Sequence, residues 1–247
     1  MISASRTVYP PLDVLKPVAT DIWTVDSGPL DAMGLAIPVR MTVVCLKSGD
    51  LWLHSPTRYD EGLGLELRRI GTIRHLVAPN VAHWSFLKDW QARCPGVVTW
   101  AAPGLRHRSQ VKKSGVALDH DLGPSAPEAW AHDIEQAVVP GGFGVNEVAF
   151  LHSSTSTLVL SDLIQNFEPE KISPLVRPLV RLAGAMAPDG KAPVHLRFAI
   201  NRKKDAAAAA ARKLVGWAPE RVIFAHGLWF NRNGATQLQR ALQWLTD

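Results

Sequence analysis

The stretch Glu147 to Leu163, EVAFLHSSTSTLVLSDL, limits the folds open to this chain more than any other. Val148 to Leu151 and Leu158 to Leu160 are unbroken apolar runs, without the alternation of a sheet that keeps one face wet. Both runs therefore predict strands buried on both faces. Between them His152-Ser153-Ser154-Thr155 carries turn chemistry. After them Ser161-Asp162 places a hydroxyl and a carboxylate where a core strand runs out. Such a pair suits an active site, and it equally suits a loop start at which Asp or Ser caps the next helix.

A chain of 247 residues with 47% hydrophobic content is ample for a sizeable core, and no low-complexity linker divides it. The expected organisation is an N-terminal arm over residues 1–18, broken by Pro10-Pro11 and Pro17, and a single domain over 19–247. A net charge of +5 fits an anionic ligand or merely a soluble surface. Cys45 and Cys94 lie far apart with no C-x-x-C pattern, which supports neither a disulfide framework nor a cysteine-rich zinc site. No apolar h-region opens the chain, and no run reaches the roughly 18 apolar residues of a membrane span. The cytoplasm is the expected compartment, and no membrane partner is expected.

Taken in order, Asp21 to Val25, Arg40 to Leu46 and Asp50 to His54 read as strands of an antiparallel unit. Tyr59 to Ile70 reads as an amphipathic helix stopped by Gly71, Ile73 to Ala78 as a strand, and Val81 to Cys94 as a second helix after the Pro79-Asn80 break. Val97 to Ala101 and Trp130 to Val139 follow as strands, and Gly141-Gly142-Phe143-Gly144 as a turn. The basic cluster of Arg106, His107, Arg108, Lys112 and Lys113 lacks aromatic interleaving, so a solvated surface is favoured over a nucleic-acid grip. Residues 169–193 read as a lid or as a plain connecting excursion. Lys204 to Val215 is a helix that Asp205 is placed to cap, Arg221 to Ala225 a buried strand delivering His226-Gly227, and Ala235 to Leu245 a closing helix. The nine tryptophans are scattered and read as packing.

Two strand ends thus carry groups suited to metal or proton chemistry, Asp162 after LVLS and His226 after VIFA, with His83 and His152 also at element ends. Carboxylate oxygen and imidazole nitrogen are both good ligands for zinc or iron.

At these residues the chain resembles the metallo-β-lactamase fold, in a divergent branch with Asn-x-x-His after the first β-α unit. The landmarks are IRHLVAPNVAH, VVPGGFGVNEVAFLH, TLVLSD and RVIFAHG, spread over most of the chain. The resemblance implies an α/β fold, a four-layer αββα sandwich with its site along one edge of the two sheets. Active members carry His-x-His-x-Asp-His, where this chain has Asn80, Ala82, Trp84 and Ser85, and Gly142 falls where a further metal histidine stands. Asp162 matches the bridging aspartate and His226 the last histidine, too few protein ligands for a binuclear zinc centre.

His83 is one residue out of frame, about 100° of helical turn. If it swings inward, His83, His152, Asp162 and His226 would offer three nitrogens and one oxygen to a single divalent metal (zinc, iron or manganese), with Asn80 orienting a ligand or water behind them. Two functions stay open on these residues. One is a metal-dependent hydrolase or lyase acting on a small molecule, with Asp162 and Asn80 serving the chemistry. The other is a metal-free binding or scaffold protein in which Asp162 and His226 hydrogen-bond each other. Nucleic-acid processing, the third, fails the same ligand count. Substrate and oligomeric state are not fixed by the sequence, since stretches such as Asp26 to Pro38 match no specificity pattern.

Overall fold

The computed structural model describes residues 7–32 and 35–247. Strands β1 (Lys16–Ala19), β2 (Ile22–Ala32), β3 (Leu35–Cys45), β4 (Asp50–His54), β5 (Thr72–Ala78), β6 (Val98–Ala101) and β7 (His120–Asp121) form one sheet in sequence order. Pairing is antiparallel from β1 to β4 and parallel from β4 to β7. The parallel pairs need crossovers, which α1 (Glu61–Ile70) and α2 (Leu87–Arg93) provide between β4, β5 and β6. A short α3 (Ser109–Ser114) follows β6. Asp60 caps α1 by accepting from the Leu63 N–H at 2.9 Å, and the Gly71 N–H closes its end on Leu67.

The second sheet has the order β12-β10-β9-β8, from β8 (Ile134–Pro140), β9 (Asn146–His152), β10 (Thr157–Val159) and β12 (Arg221–Ile223). The apolar hairpin expected from sequence is β9 and β10, with Leu158 opposite Leu151 and Val159 opposite Phe150. A small parallel ladder joins β11 (Gln165–Asn166) to β13 (His226–Gly227). The remaining helices are α4 (Arg177–Leu182), α5 (Val194–Asn201), α6 (Lys204–Gly216) and α7 (Gly234–Thr246).

Strand periodicity builds the layers. In the first sheet Val43, Leu51, Leu53, Leu76 and Ala78 share a core with Leu63 and Leu67 of α1 and Leu87 and Trp90 of α2. Their neighbours Val44, Trp52 and Val77 point the other way and meet Val148, Phe150, Val159 and Ile223 of the second sheet. On that sheet's outer face Ala149, Leu151, Leu158 and Val222 pack with Ile200, Ala211, Leu214 and Leu242 of the last three helices. The result is α, β, β, α, a four-layer sandwich. Aromatic rings fill its middle, Trp52 meeting Phe150 edge to face at 4.9 Å and Trp100 meeting Trp130 at 4.6 Å.

One buried cation ties the halves together. Arg40 of β3 donates through Nη1 to the carbonyls of Phe224 and Gly227, both at 2.9 Å, and its Nη2 lies 2.7 Å from Asp26.

Several sequence expectations change. Residues 1–6 of the proposed arm lie outside the described residues, and its last part is strand β1. Asp26 to Pro38 is mostly the arms of the long β2–β3 hairpin, with residues 33–34 of that stretch outside the described residues. The second helix covers only Leu87–Arg93, because the Asn80 side chain accepts from the Ala82 and His83 N–H groups and folds 81–86 into turns. β8 begins at Ile134, with Trp130 in the preceding turn. Asp205 lies in the first turn of α6 and no side chain caps that helix. The 169–193 excursion has a small core of its own, in which Ile172, Val180 and Met186 meet Phe167. Among the described residues no helix is long and apolar enough to cross a membrane.

Candidate metal centre

β4 and β5 run parallel in one sheet and β10 and β12 in the other, so their carboxyl ends can deliver polar groups to a common rim. Ser55 follows β4, Asn80 and His83 follow β5, Ser161 and Asp162 follow β10, and His226 follows β12. Antiparallel β9 brings its first residues to the same rim, among them Glu147, and the Val148 N–H donates to the Pro79 carbonyl across the sheets.

Asp162 is the centre. Its Oδ2 lies 3.1 Å from His83 Nε2 and its Oδ1 lies 3.3 Å from His226 Nε2. One ligand atom from each of His83, Asp162 and His226 falls within 4.8 Å of the others. Asn80 Nδ2 donates to Asp162 Oδ2 at 2.8 Å, and Gln165 Nε2 donates to Oδ1 at 3.0 Å. The side chains are nearly closed to solvent, with Asp162 17% exposed and the histidines less.

The tautomer of His226 follows from its partner. Its Nδ1 lies 2.8 Å from the Pro38 carbonyl, which can only accept, so Nδ1 carries the proton. A neutral His226 then turns a bare Nε2 toward a carboxylate oxygen, two acceptors face to face. Only a proton or a metal cation between them makes that contact attractive. His83 is held similarly, its Nδ1 against the Ser55 hydroxyl and its Nε2 on Asp162. Ligands about 2.0–2.1 Å from a tetrahedral ion stand roughly 3.3 Å apart; each histidine stands 3.1 or 3.3 Å from its own oxygen of Asp162, and one atom from each residue lies within 4.8 Å of the others. The donor set of two imidazoles and a carboxylate, each imidazole anchored through its other nitrogen, fits a divalent metal.

Electrostatics point the same way. Burial alone would raise the Asp162 pKa, yet the charge of His83 and hydrogen bonds from both histidines hold it well below the usual carboxylate range. Burial would lower the His83 pKa, and the charge and hydrogen bond of Asp162 turn the net shift upward. The cluster is anionic at its centre and favours positive charge on the His83 imidazole.

Behind it lies Glu147, 1% exposed. Its Oε1 accepts from the N–H groups of Ser161 and Asp162, both at 2.9 Å, and from the Ser161 hydroxyl. Its Oε2 accepts from Asn80 Nδ2 at 2.9 Å. Withdrawing a carboxylate from water costs several kcal/mol. Hydrogen bonds to a charged group contribute about 1.5–3 kcal/mol each, enough across these donors to offset that cost. Burial, then the charge of Asp162, still pushes the Glu147 pKa up. Asn80 therefore does three things: it shapes the turn carrying His83, grips Glu147, and presents amide hydrogens to Asp162.

Of the four ligands expected from sequence, His83, Asp162 and His226 come together and His152 does not. His152 ends β9 at the rim opposite Glu147, and five residues of strand at about 3.3 Å each put some 17 Å between them. Its Nδ1 pairs locally with Thr155 Oγ1 at 2.8 Å. At Gly142 a Cβ would meet Arg202 Cβ at 2.7 Å, and the Gly142 N–H donates to Ala199 at 2.7 Å, so the end of α5 fills the place of a further histidine. Gly227 is required after His226: its φ is +91° and a Cβ would lie 2.3 Å from the Asn166 carbonyl oxygen. Glu147, Ser55, Gln165 and the Pro38 carbonyl carried no site expectation. Only Glu147 had a signal, a charge opening a doubly buried strand, where an unpartnered carboxylate is not tolerated.

Known proteins agree on the architecture. The DIM-1 metallo-β-lactamase superposes with a TM-score of 0.65 at 14% identity, covering 93% of this chain and 96% of that one. FIM-1 from Pseudomonas aeruginosa, solved in a mono-zinc form, gives 0.61 at 14% identity over 93% of each chain. The metallo-β-lactamase of Erythrobacter litoralis gives 0.62 at 12% identity over 97% and 98%. Likenesses at such identities establish the fold alone. No curated protein matches the sequence. The family model described as a domain of unknown function, DUF4336, matches residues 19–183, which is 165 of 247 residues. The chain thus belongs to the DUF4336 family and has the metallo-β-lactamase fold in a divergent form.

Proposed function

We propose that this protein is a metal-dependent hydrolase-like protein that holds one divalent ion, zinc, iron or manganese, on His83, Asp162 and His226. One observation carries the reading. The His226 ring, held through Nδ1 by the Pro38 carbonyl, sets its Nε2 3.3 Å from Asp162 Oδ1, with His83 Nε2 on the other oxygen of the same carboxylate. A divalent metal at a three-ligand site of this kind acidifies a bound water and so supplies a nucleophile near neutral pH.

The chain's own residues do the rest. Asp162 is kept ionised, and Asn80 and Gln165 fix the direction of its two oxygens. Ser55 and the Pro38 carbonyl set the imidazole planes. The Phe167 ring lies against His226 with centroids 6.4 Å apart, limiting water on that side. With 17% of the Asp162 side chain exposed, the opening suits a small reacting group. The mono-zinc form of FIM-1 is a precedent, on this fold, for a single ion.

Metal analysis of protein purified without a histidine tag, after supplementation with each of the three metals, tests the proposal. The expected result is one ion per chain, lost in His226→Ala with the fold retained by circular dichroism. A stoichiometry near zero in the wild type, together with a large drop in melting temperature for metal-free His226→Ala, would assign the trio to a structural lock between the sheets.

A further inference from the structure

Six of the nine large hydrophobic side chains exposed among the described residues belong to one region of the chain: Phe143, Leu175, Leu179, Leu182, Val194 and Phe198. They lie on the segment from Pro174 to Phe198 and on the turn that touches it. The Phe143 and Phe198 rings stack at 6.3 Å and 11°, and Arg197 of α5 donates to Ala183 at the end of α4. Leu175, Leu179 and Leu182 are spaced i, i+4, i+7 along α4 and the turn before it, and are 92%, 67% and 81% exposed. An ordinary loop does not keep three leucines on one stripe in water.

The charge of the same segment is one-sided. From Pro174 to Phe198 there are four lysines and arginines, Arg177, Arg181, Lys191 and Arg197, against one acid, Asp189, which is itself paired with Arg240. Arg177 and Arg181 lie on the other side of α4, each about 160–200° of helical turn from Leu179.

We infer that this face seats on an anionic lipid surface, its leucines entering the headgroup boundary and its arginines meeting the headgroups. A helix with an apolar stripe on one side and cations on the other is what such a surface binds. A second copy of the chain is a poorer occupant, since a two-fold contact would set this basic face against itself. The inference stands apart from the metal centre and does not depend on it.

Co-sedimentation of the full chain with vesicles tests it, using phosphatidylcholine alone and phosphatidylcholine mixed with phosphatidylglycerol. The mixed vesicles are expected to carry the protein down, with added salt weakening the effect, and the neutral ones much less. The triple change L175S/L179S/L182S and the charge reversal R181E should each reduce binding by about tenfold or more, with unchanged melting curves because the altered side chains are exposed. Failure of the wild type to sediment with the mixed vesicles, or variants that bind as it does, would overturn the inference. So would a dimer in light scattering that the leucine changes dissolve, which would give the face to a second copy.

Discussion

Strand β9 has a titratable side chain near each end, and the two ends differ in everything except their distance from the apolar middle. Glu147 sits where the carboxyl ends of parallel strands from both sheets converge, and four donors from three residues, Asn80 and the adjacent Ser161 and Asp162, close on it. His152 sits at the far rim and bonds to a threonine three residues away. Both look alike as polar punctuation of an apolar run. What separates them is the range of their contacts: a residue whose partners are 14 and 67 positions away is part of how the sheets meet. A residue satisfied by its own turn is part of how the chain reverses.

The sharpest way to break that contrast is Glu147→Ala. It strands the buried N–H groups of Ser161 and Asp162 and removes one acceptor of the Asn80 amide, and should destabilise the fold by roughly 3–5 kcal/mol in urea unfolding. A loss under about 1 kcal/mol would mean that the network is idle. Asn80→Ala should follow at about 1–3 kcal/mol, since it frees the Ala82 and His83 N–H groups and loosens both carboxylates. The same variant should weaken metal binding some 10–100-fold, measured by competition with a chelator.

His75 offers a pH test between these extremes. It accepts a hydrogen bond from the Trp100 indole at 3.2 Å, and burial lowers its pKa to about 4. The unfolded chain takes up a proton near pH 6.5, which the folded chain resists down to pH 4. Stability should therefore be full above pH 6.5 and fall through that window, and the fall should shrink in His75→Leu. Smallest of all, His152→Ala should cost no more than about 1 kcal/mol and leave metal stoichiometry untouched. A clear loss of metal in that variant would reverse the assignment of the two ends.

The layers were legible because the apolar runs of β9, β10 and β12 are covered on both sides, and Asp162 and His226 because they follow such runs directly. His83 was visible as an out-of-frame histidine, but the reason it turns inward was not. The Asn80 side chain takes its backbone N–H, which ends the helical reading of 81–86 and aims the ring at Asp162. His152 was misjudged because a strand end in sequence does not say which rim of the sheet it reaches. Ser55 and the Pro38 carbonyl were hidden for another reason. Their roles depend on strand pairings and a sheet-to-sheet approach that no local pattern encodes.

Arg40 has a consequence for how the molecule comes apart. Its guanidinium, rooted in the first sheet and spent on carbonyls on either side of His226, would be left in an apolar gap if the halves separated. Peeling the second sheet away exposes that ion pair and unseats His226 together. Heat or denaturant should find a single transition in which the rim and the sandwich are lost as one.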